Sequence, residues 1–581
     1  MTAQDLYTVG AAGGLLEIPF VTNQKYIVQT GDDWLSWIPD SKAVERETFT
    51  LQVDANKDAA ERSSTVAIVT GDLRQEITVW QEGYCEPDVL EISEKEITVD
   101  EYGGEIKIGI VANSGFEAFL EAGVEWISLA GTSDGCGVSI SPNTGAEKRQ
   151  ARILIVSGNS KEYVTVSQSG SEVVEFQLGY GYAGTSVNVA VFRAASIVSD
   201  AKRQFAAWYD AAGVINIASR KLNPDGAWET TATALKGAVA DAHNTISLGL
   251  DGDGYLHVSW NQHGTRLRYA RSKAPYSMDF DILDEMIDAA IEKNVTYPEF
   301  RRFSNGDLLF AYRDGISGSG NLVLNRYDVA LKKWNRIQDN LLSGEGSRNA
   351  YWQMYMDRSD AIYLSWVWRE TPDVATNHDL CYAVSRDGGH SWQKSSGEAY
   401  SLPITTANAE IAWPVPQKSE MINQTSMTVD KNGHPYIATY WRAQGESVPQ
   451  YRIVWNDGTS WKATQVGERT GAFSLSGGGT KAIPISRPQI VSDGEQTMMI
   501  FRDADRSSRV SIAGSSDLDY WGIRDLTLDP VDAWEPSFDY ERWNREHVLD
   551  IFVQRAGQGD GEQSTQLQPQ PVRILELKPR Q

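Results

Sequence analysis

Cysteine is scarce in this chain: Cys85, Cys136 and Cys381 are the only three in 581 residues. So few, and an odd number, cannot build a disulfide framework, and stability has to come from packing. Long apolar runs are missing as well. No stretch approaches the ~20 residues that span a bilayer, and Met1-Thr2-Ala3-Gln4-Asp5 has neither the charged nor the apolar region of a signal peptide. That start predicts a cytosolic protein or one whose leader lies outside this sequence. Basic residues are outnumbered, 53 Lys and Arg against 78 Asp and Glu, for a formal charge of -25 without a Lys/Arg run. Such a chain repels a phosphate backbone, which removes nucleic acid from the expected partners. What is abundant is aromatic and turn-forming: 19 Trp, 24 Tyr and 50 Gly, a composition that suits β-structure with many turns and surfaces that stack on sugars. The length exceeds what one core supports and predicts three or four structural units.

The first 170 residues repeat. Asn56, Arg62 and Gln81 recur 87 positions later as Asn143, Arg149 and Gln168. Each copy has a Trp-Ile pair (Trp37-Ile38, Trp126-Ile127), an Asn-to-Arg turn and two alternating segments: Thr65 to Ile68 with Glu76 to Trp80, then Ala151 to Val156 with Tyr163 to Val166. Period-two alternation in ~85 residues predicts a small antiparallel sandwich, with Trp34, Trp37 and Trp126 in its core. The pattern resembles the BACON domain, an immunoglobulin-like module at the front of carbohydrate-processing proteins. The resemblance implies a spacer or a glycan-binding role.

From about residue 172 the rhythm changes to strands that end in an aromatic: Phe205 to Tyr209, Leu256 to Trp260, Leu308 to Tyr312, Ile362 to Trp366, Tyr436 to Tyr440, Thr497 to Phe501 and Val548 to Phe552. The terminal aromatics are 51, 52, 54, 74, 61 and 51 residues apart, the length of a four-stranded blade with its loops. Most follow a turn signal such as Asn305-Gly306 or Asn432-Gly433. Ser385-Arg386-Asp387-Gly388-Gly389-His390-Ser391-Trp392 fits the Asp-box pattern of sialidase-type propellers, and Asn456 to Trp461 is a degenerate relative. The expected fold is all-β: two tandem immunoglobulin-like β-sandwiches (1–83 and 84–171) followed by a seven-bladed β-propeller over 172–581 that carries the chemistry. One helix is expected between blades, from Ile282 to Lys293.

Polar side chains follow most of the seven strands: Asp210, Asn261, Arg313, Arg369, Arg442 and Arg502. Equivalent positions in successive blades face a common region, and four arginines there suit an anionic ligand, since guanidinium pairs bidentately with carboxylate or sulfate. The segment from Asp241 to His263 holds three of the seven histidines. His257 lies inside a strand and reads as a core residue, whereas His243 and His263 fall in loops, where function concentrates.

His243-Asn244 to His263, Tyr297-Pro298-Glu299-Phe300, Tyr312-Arg313-Asp314-Gly315 with Ser317 to Gly320, Trp366 to Glu370, Asn377-His378, Ser486-Arg487-Pro488 and Phe501-Arg502-Asp503 resemble the BNR-repeat propeller family that contains ulvan lyases. That family also includes glycosidases acting on rhamnose linked to glucuronate. The resemblance implies a polysaccharide lyase on a uronic-acid-containing, rhamnose-rich, sulfated glycan. Such an enzyme neutralises the C6 carboxylate, removes the C5 proton and protonates the leaving O4. By resemblance, Arg313 and His263 are candidates for neutralisation, and His243 and Tyr297 for acid and base in either order. Asn244, Asn261, Trp260, Tyr351, Tyr355, Arg369, Arg442 and Arg502 are candidates to bind substrate.

Two other classes stay open at this point: an exo-acting α-L-rhamnosidase, and a non-catalytic glycan-binding propeller. No cofactor is required. A structural zinc or calcium ion is a further option, with His378 and Cys381 as ligands joined by His390 or His434, although a closed zinc site needs about four. The expected partner is an anionic polysaccharide and the expected state a monomer. A polymer substrate together with BACON-like modules places the protein outside the inner membrane: secreted, periplasmic or on the outer surface.

Overall fold

A computed structural model describes residues 4–578 apart from 23, 40–47, 102, 133–134, 144–146, 191–195, 225 and 424–425. The chain is nearly all β; among the described residues the one α-helix is Tyr540–Glu546, and no helix is long and apolar enough to cross a membrane. It divides into two compact units, one ending at Gly170 and the other beginning at Ser171.

The first unit contains the repeat. In the first copy Leu6–Val9, Leu73–Gln81, Arg62–Thr70 and Ile27–Thr30 form one sheet, and Gly14–Pro19, Thr48–Val53 and Leu35–Ile38 form another. Ile18, Leu51, Val66 and Val79 from both sheets share one core, as the alternation requires. The second copy repeats this core with Ile108, Val138, Ile153 and Val164. Its recurring polar triad is a clasp. Arg62 Nε donates to Gln81 Oε1 at 2.9 Å, and Arg149 Nε to Gln168 Oε1 at 2.8 Å. Asn56 and Asn143 each donate to two main-chain carbonyls, closing the turn before the paired strands.

The register corrects one equivalence. Leu35 pairs with Val53 and Ile127 with Ile140, so the counterpart of Trp126 is Trp34 rather than Trp37. Both indoles lie under the clasp arginine, 4.4 Å from Arg62 and from Arg149. Trp34, Trp37 and Trp126 are half-buried and flank the core.

Among the described residues the second unit is a succession of seven sheets. Five of the seven aromatic-ended segments fall in the second strand of a four-stranded sheet (Arg203–Tyr209, Leu256–Trp260, Ile362–Arg369, Pro435–Trp441 and Thr497–Asp503), Leu308–Ile316 is the middle strand of a five-stranded sheet, and Leu549–Gln554 is an edge strand of the last. The last sheet joins the two ends of the unit, because Val173–Gly181 pairs antiparallel with Gln570–Leu577. A buried charge network seals this seam. Arg542 on the helix pairs with Asp550 at 2.8 Å and Glu576 at 2.7 Å, and Arg220 from the first sheet reaches Glu576 at 2.7 Å. Breaking a buried network leaves carboxylates without compensation, so Arg542→Met is expected to cost about 3–5 kcal/mol, read from urea unfolding of the purified chain.

Asp387 accepts from the main-chain N–H of His390 and Ser391 and from the Ser385 and Ser391 hydroxyls, while Trp392 is fully buried. Asp457 does the same for Thr459 and Ser460. A third turn of this kind, Ser515 to Trp521, escapes the strict pattern because it lacks the glycine; Asp517 accepts from the N–H of Asp519 and Tyr520.

Residues 282–293 are a correction: Ile282 ends the strand Phe280–Ile282, and 283–293 form a closed loop. Asp284 sits at φ 55°, and the Glu292 carboxylate takes the N–H groups of Met286 and Ile287, donors that a helix would have used.

Candidate active site

Antiparallel pairing places the start of each sheet's first strand beside the end of its second. Asn349 opposes Arg369, and Thr296 opposes Arg313, with His263 on a short added strand opposing Thr296 in turn. Arg313, Arg369, Tyr297 and Tyr351 therefore emerge at one end of the sheets. Together with His243, His263, Arg487, Lys481 and Glu562 they line a cavity of about 260 Å³. Its walls carry four cationic residues and one carboxylate in a chain of net charge -25.

Tyr297 lies where the pairing of Val295–Arg302 with its neighbour shifts register, and its φ is 58°. A left-handed tyrosine costs of order 1–3 kcal/mol, and such strain persists where function holds it. The Arg313 guanidinium stands 4.9 Å from the Tyr297 ring, and Arg369 is 5.5 Å from the Tyr351 ring. The two tyrosine rings are 6.1 Å apart. Arg313 NH2 donates to Thr296 Oγ1 at 3.1 Å, and Arg369 donates to the carbonyls of Thr371 and Pro372 and, at 3.5 Å, to the Tyr351 hydroxyl. Both arginines are buried, and among the described residues neither has a carboxylate partner within ion-pair distance. Arg487 differs, being paired bidentately with Glu535.

These charges split the tyrosines. Burial pushes Tyr351 up, but Arg369 and Arg313, with hydrogen bonds from Asn349 and Ser317, outweigh it and hold Tyr351 below the usual phenol value. Burial and the neighbouring Tyr351 push Tyr297 up against the pull of the arginines.

Opposite the tyrosines, the His243 and His263 rings stack 4.0 Å apart at 12°. Asp241 Oδ1 meets His243 Nδ1 at 3.0 Å, and Asp241 Oδ2 meets His263 Nδ1 at 2.6 Å. Burial favours neutral His243, yet Asp241 and Glu562 overcome it and raise its pKa. Asp241, His243 and His263 are the one group of three metal-ligand types brought together among the described residues. Both Nδ1 atoms are taken up by the Asp241 carboxylate. His378, Cys381, His390 and His434 are not brought together. His378 bridges Glu370 and Asp379, His434 bonds Asp430, His390 is exposed, and burial holds the Cys381 thiol protonated.

Of the residues expected at the site, His243, His263, Tyr297, Arg313, Tyr351 and Arg369 are assembled and six are not. Trp260 is a core residue whose indole donates to the Lys236 carbonyl. Asn244 and Asn261 serve the main chain of Ala238. Tyr355 lies four residues beyond Tyr351, about 13 Å down the strand, and packs on Tyr363. Arg442 turns to the Lys418 carbonyl. Arg502 donates to the carbonyls of Ile483, Ile485 and Trp534 and borders an adjoining cleft. Asp210 closes a hairpin by accepting from Ala212 and Val214. Asp241 and Arg487 lay inside motifs already singled out but carried no role; Lys481 and Glu562 come from distant loops that no local signal marks.

Gly320 is required by this packing. A Cβ there would lie 2.8 Å from Arg313 Cγ and Cδ. Gly320→Ala is expected to displace the guanidinium and lower kcat/KM about tenfold, with a thermal midpoint close to that of the parent.

Residues 203–469 match the model of the BNR repeat-containing family, residues 97–169 that of the BACON family of N-terminal binding domains, and residues 1–84 that of the viral BACON domain. An ulvan lyase of Alteromonas sp. (strain LOR) is 23% identical over 261 residues, covering 38% of this chain and 52% of the relative. The chain thus spans about half the length of that curated relative. Among solved structures, polysaccharide lyase Uly1 superposes with a TM-score of 0.50 at 16% identity, covering 66% of this chain and 90% of that one. A PL25 ulvan lyase gives 0.50 at 15% identity, over 69% and 95%. At this identity the likeness shows a shared fold.

Proposed function

We propose, for a chain that belongs through residues 203–469 to the BNR repeat-containing family and carries two BACON domains ahead of it, the activity of a polysaccharide lyase. Its substrate is a uronic-acid-containing, rhamnose-rich, sulfated polymer of the ulvan kind, cleaved by β-elimination. The seven sheets are the blades of a propeller whose mouth is the cavity at Arg313. The observation that carries this reading is the pair of buried arginines, Arg313 and Arg369, without a carboxylate of their own beside two tyrosines. A buried cation is costly unless paired, and a uronate carboxylate supplies the missing charge.

With the C6 carboxylate on the arginines, negative charge that develops at C5 spreads onto an ion-paired group. Tyr351, held low by the same arginines, takes the C5 proton as tyrosinate. The C5–H electrons form the C4=C5 double bond, the C4–O4 bond breaks, and O4 takes a proton from His243 Nε2. Tyr297, kept protonated, stands between the two at 5.9 Å from the His243 ring. A glycosidase would need two carboxyl groups facing each other across the sugar; here Asp241 and Glu562 both sit on one nitrogen of His243.

The alternative of a non-catalytic binder separates cleanly. Incubation with ulvan and other uronate polymers is expected to build ultraviolet absorbance from the unsaturated uronate. Binding without such absorbance on any of them, or release of free rhamnose alone, contradicts the reading. By the same chemistry the protein acts outside the inner membrane, where polymers are met.

A further inference from the structure

His243 is held from two sides by loops far apart in sequence. Asp241, two residues away, accepts both its main-chain N–H at 2.9 Å and its Nδ1 at 3.0 Å. Glu562, in the loop after the strand Leu549–Gln554, brings Oε1 to 3.1 Å from the same Nδ1. The same Glu562 oxygen accepts the N–H of Thr480 at 2.7 Å and its hydroxyl at 2.9 Å, and Gly561 N–H donates to the Thr480 carbonyl at 2.9 Å. Glu562 Oε2 is buried without a hydrogen-bond partner, and the residue sits at φ 71°, a left-handed conformation that a glutamate does not adopt freely.

Thr480 belongs to a strap. Residues Gly477 to Lys481 are tied at one end, where Gly477 N–H donates to Asp373 at 2.7 Å and its carbonyl accepts from Val374, and at the other, where Lys481 pairs with Asp560 at 2.7 Å. Gly478, Gly479, Thr480 and Lys481 also wall the cavity. Glu562 is thus the joint between the strap and the histidine.

We propose that Glu562 is a positioning residue: with Asp241 it fixes the His243 ring by Nδ1, turns Nε2 toward the substrate, keeps the ring cationic as a proton donor, and couples that state to the strap. The inference rests on the lyase reading above for its kinetic consequence, and on the two carboxylates placed at Nδ1 for the charge state. Nδ1 carries one proton in either charge state, so Asp241 and Glu562 share a single N–H, and it is the negative charge of two carboxylates beside the ring that favours the imidazolium. The other charged and titratable groups facing His243 are His263, stacked on it, Tyr297 from the third sheet, and Arg313, Arg369, Tyr351, Arg487 and Lys481 around the cavity.

Glu562→Gln keeps an acceptor for Thr480 and removes the charge. The alkaline limb of the kcat profile is expected to move down by about one pH unit, which reads as an about tenfold loss of kcat on that limb, with KM within twofold and little change at lower pH. Glu562→Asp retains the charge and is expected to leave the limb near its place; it carries the test should the glutamine variant fail to fold. A proton NMR titration of the histidine ring signals, with His243 assigned from His243→Asn, reads the same shift without substrate. If the parent eliminates no uronate polymer, the lyase reading fails while the titration still decides this proposal. An alkaline limb and a His243 titration that stay in place in Glu562→Gln, or that move equally in Glu562→Asp, overturn it and leave Glu562 as a tie between loops.

Discussion

Replacing Arg313 by methionine is expected to lower kcat/KM on a uronate polymer by about three orders of magnitude, read from the initial rate of ultraviolet absorbance. Methionine fills much of the space, so the loss reports charge. Arg313 is 3% exposed, and its Nε is buried without a partner. A guanidinium that stays in this state without a carboxylate is preorganised for charge that arrives with the substrate. Stabilisation of this kind in a dry site is the largest single contribution to many reactions, with single donors worth about 10² to 10³ in rate. Arg313 both binds the ground-state carboxylate and stabilises the carbanion that forms beside it, so kcat and KM are both expected to worsen. The fold is expected to survive, because among the described residues Arg313 has no carboxylate partner and its loss gives up only the bond to Thr296 and the contact with the Tyr297 ring. A variant that melts early and keeps its rate per folded molecule contradicts this assignment.

Tyr351→Phe is expected to reduce kcat by about 10³, in the range for a positioned acid-base group, while retaining substrate affinity measured by calorimetry. The pH dependence carries the sign. Arg369 and Arg313 lower the Tyr351 pKa because they favour tyrosinate. The base is active when deprotonated, so the rate rises with pH along an acid limb set by Tyr351. Arg369→Met removes part of that stabilisation and is expected to move the limb upward. His243 works in the opposite sense: its raised pKa keeps the donor protonated, and the rate falls as pH rises through that value. Tyr297→Phe is expected to cost less than Tyr351→Phe, since burial and Tyr351 hold Tyr297 protonated. An acid limb that disappears in Tyr297→Phe and persists in Tyr351→Phe reverses the roles.

Much of the architecture was legible because β-strands announce themselves at short range. The seven aromatic-ended segments needed only alternation and a turn signal, and all fall on strands of seven successive sheets. The clasp of Arg149 and Gln168 was visible as a recurring spacing. Trp34, not Trp37, matches Trp126, because the indole position is set by where the clasp arginine reaches, which sequence distance does not encode. The helix expected from Ile282 to Lys293 is absent because the Glu292 side chain captures the main-chain donors that it would have used.

The site divides by the same logic. His243, Tyr297 and Arg313 flank short, recognisable strands. Arg442 and Arg502 hold equivalent positions after their strands, yet their guanidinium groups turn to main-chain carbonyls. A shared position therefore predicts where a side chain begins and leaves its direction to local acceptors. Glu562 lies in a loop with no regular pattern, 319 residues after the histidine it touches, and only the folded chain brings the two together.

Digestion of a uronate polymer in heavy-oxygen water tests the central claim most directly. Elimination breaks C4–O4 without adding water, so the account predicts fragments with an unsaturated, ultraviolet-absorbing end and no heavy oxygen at the new termini. Fragments that carry one heavy oxygen per cut and no unsaturated end would show hydrolysis, and would contradict it.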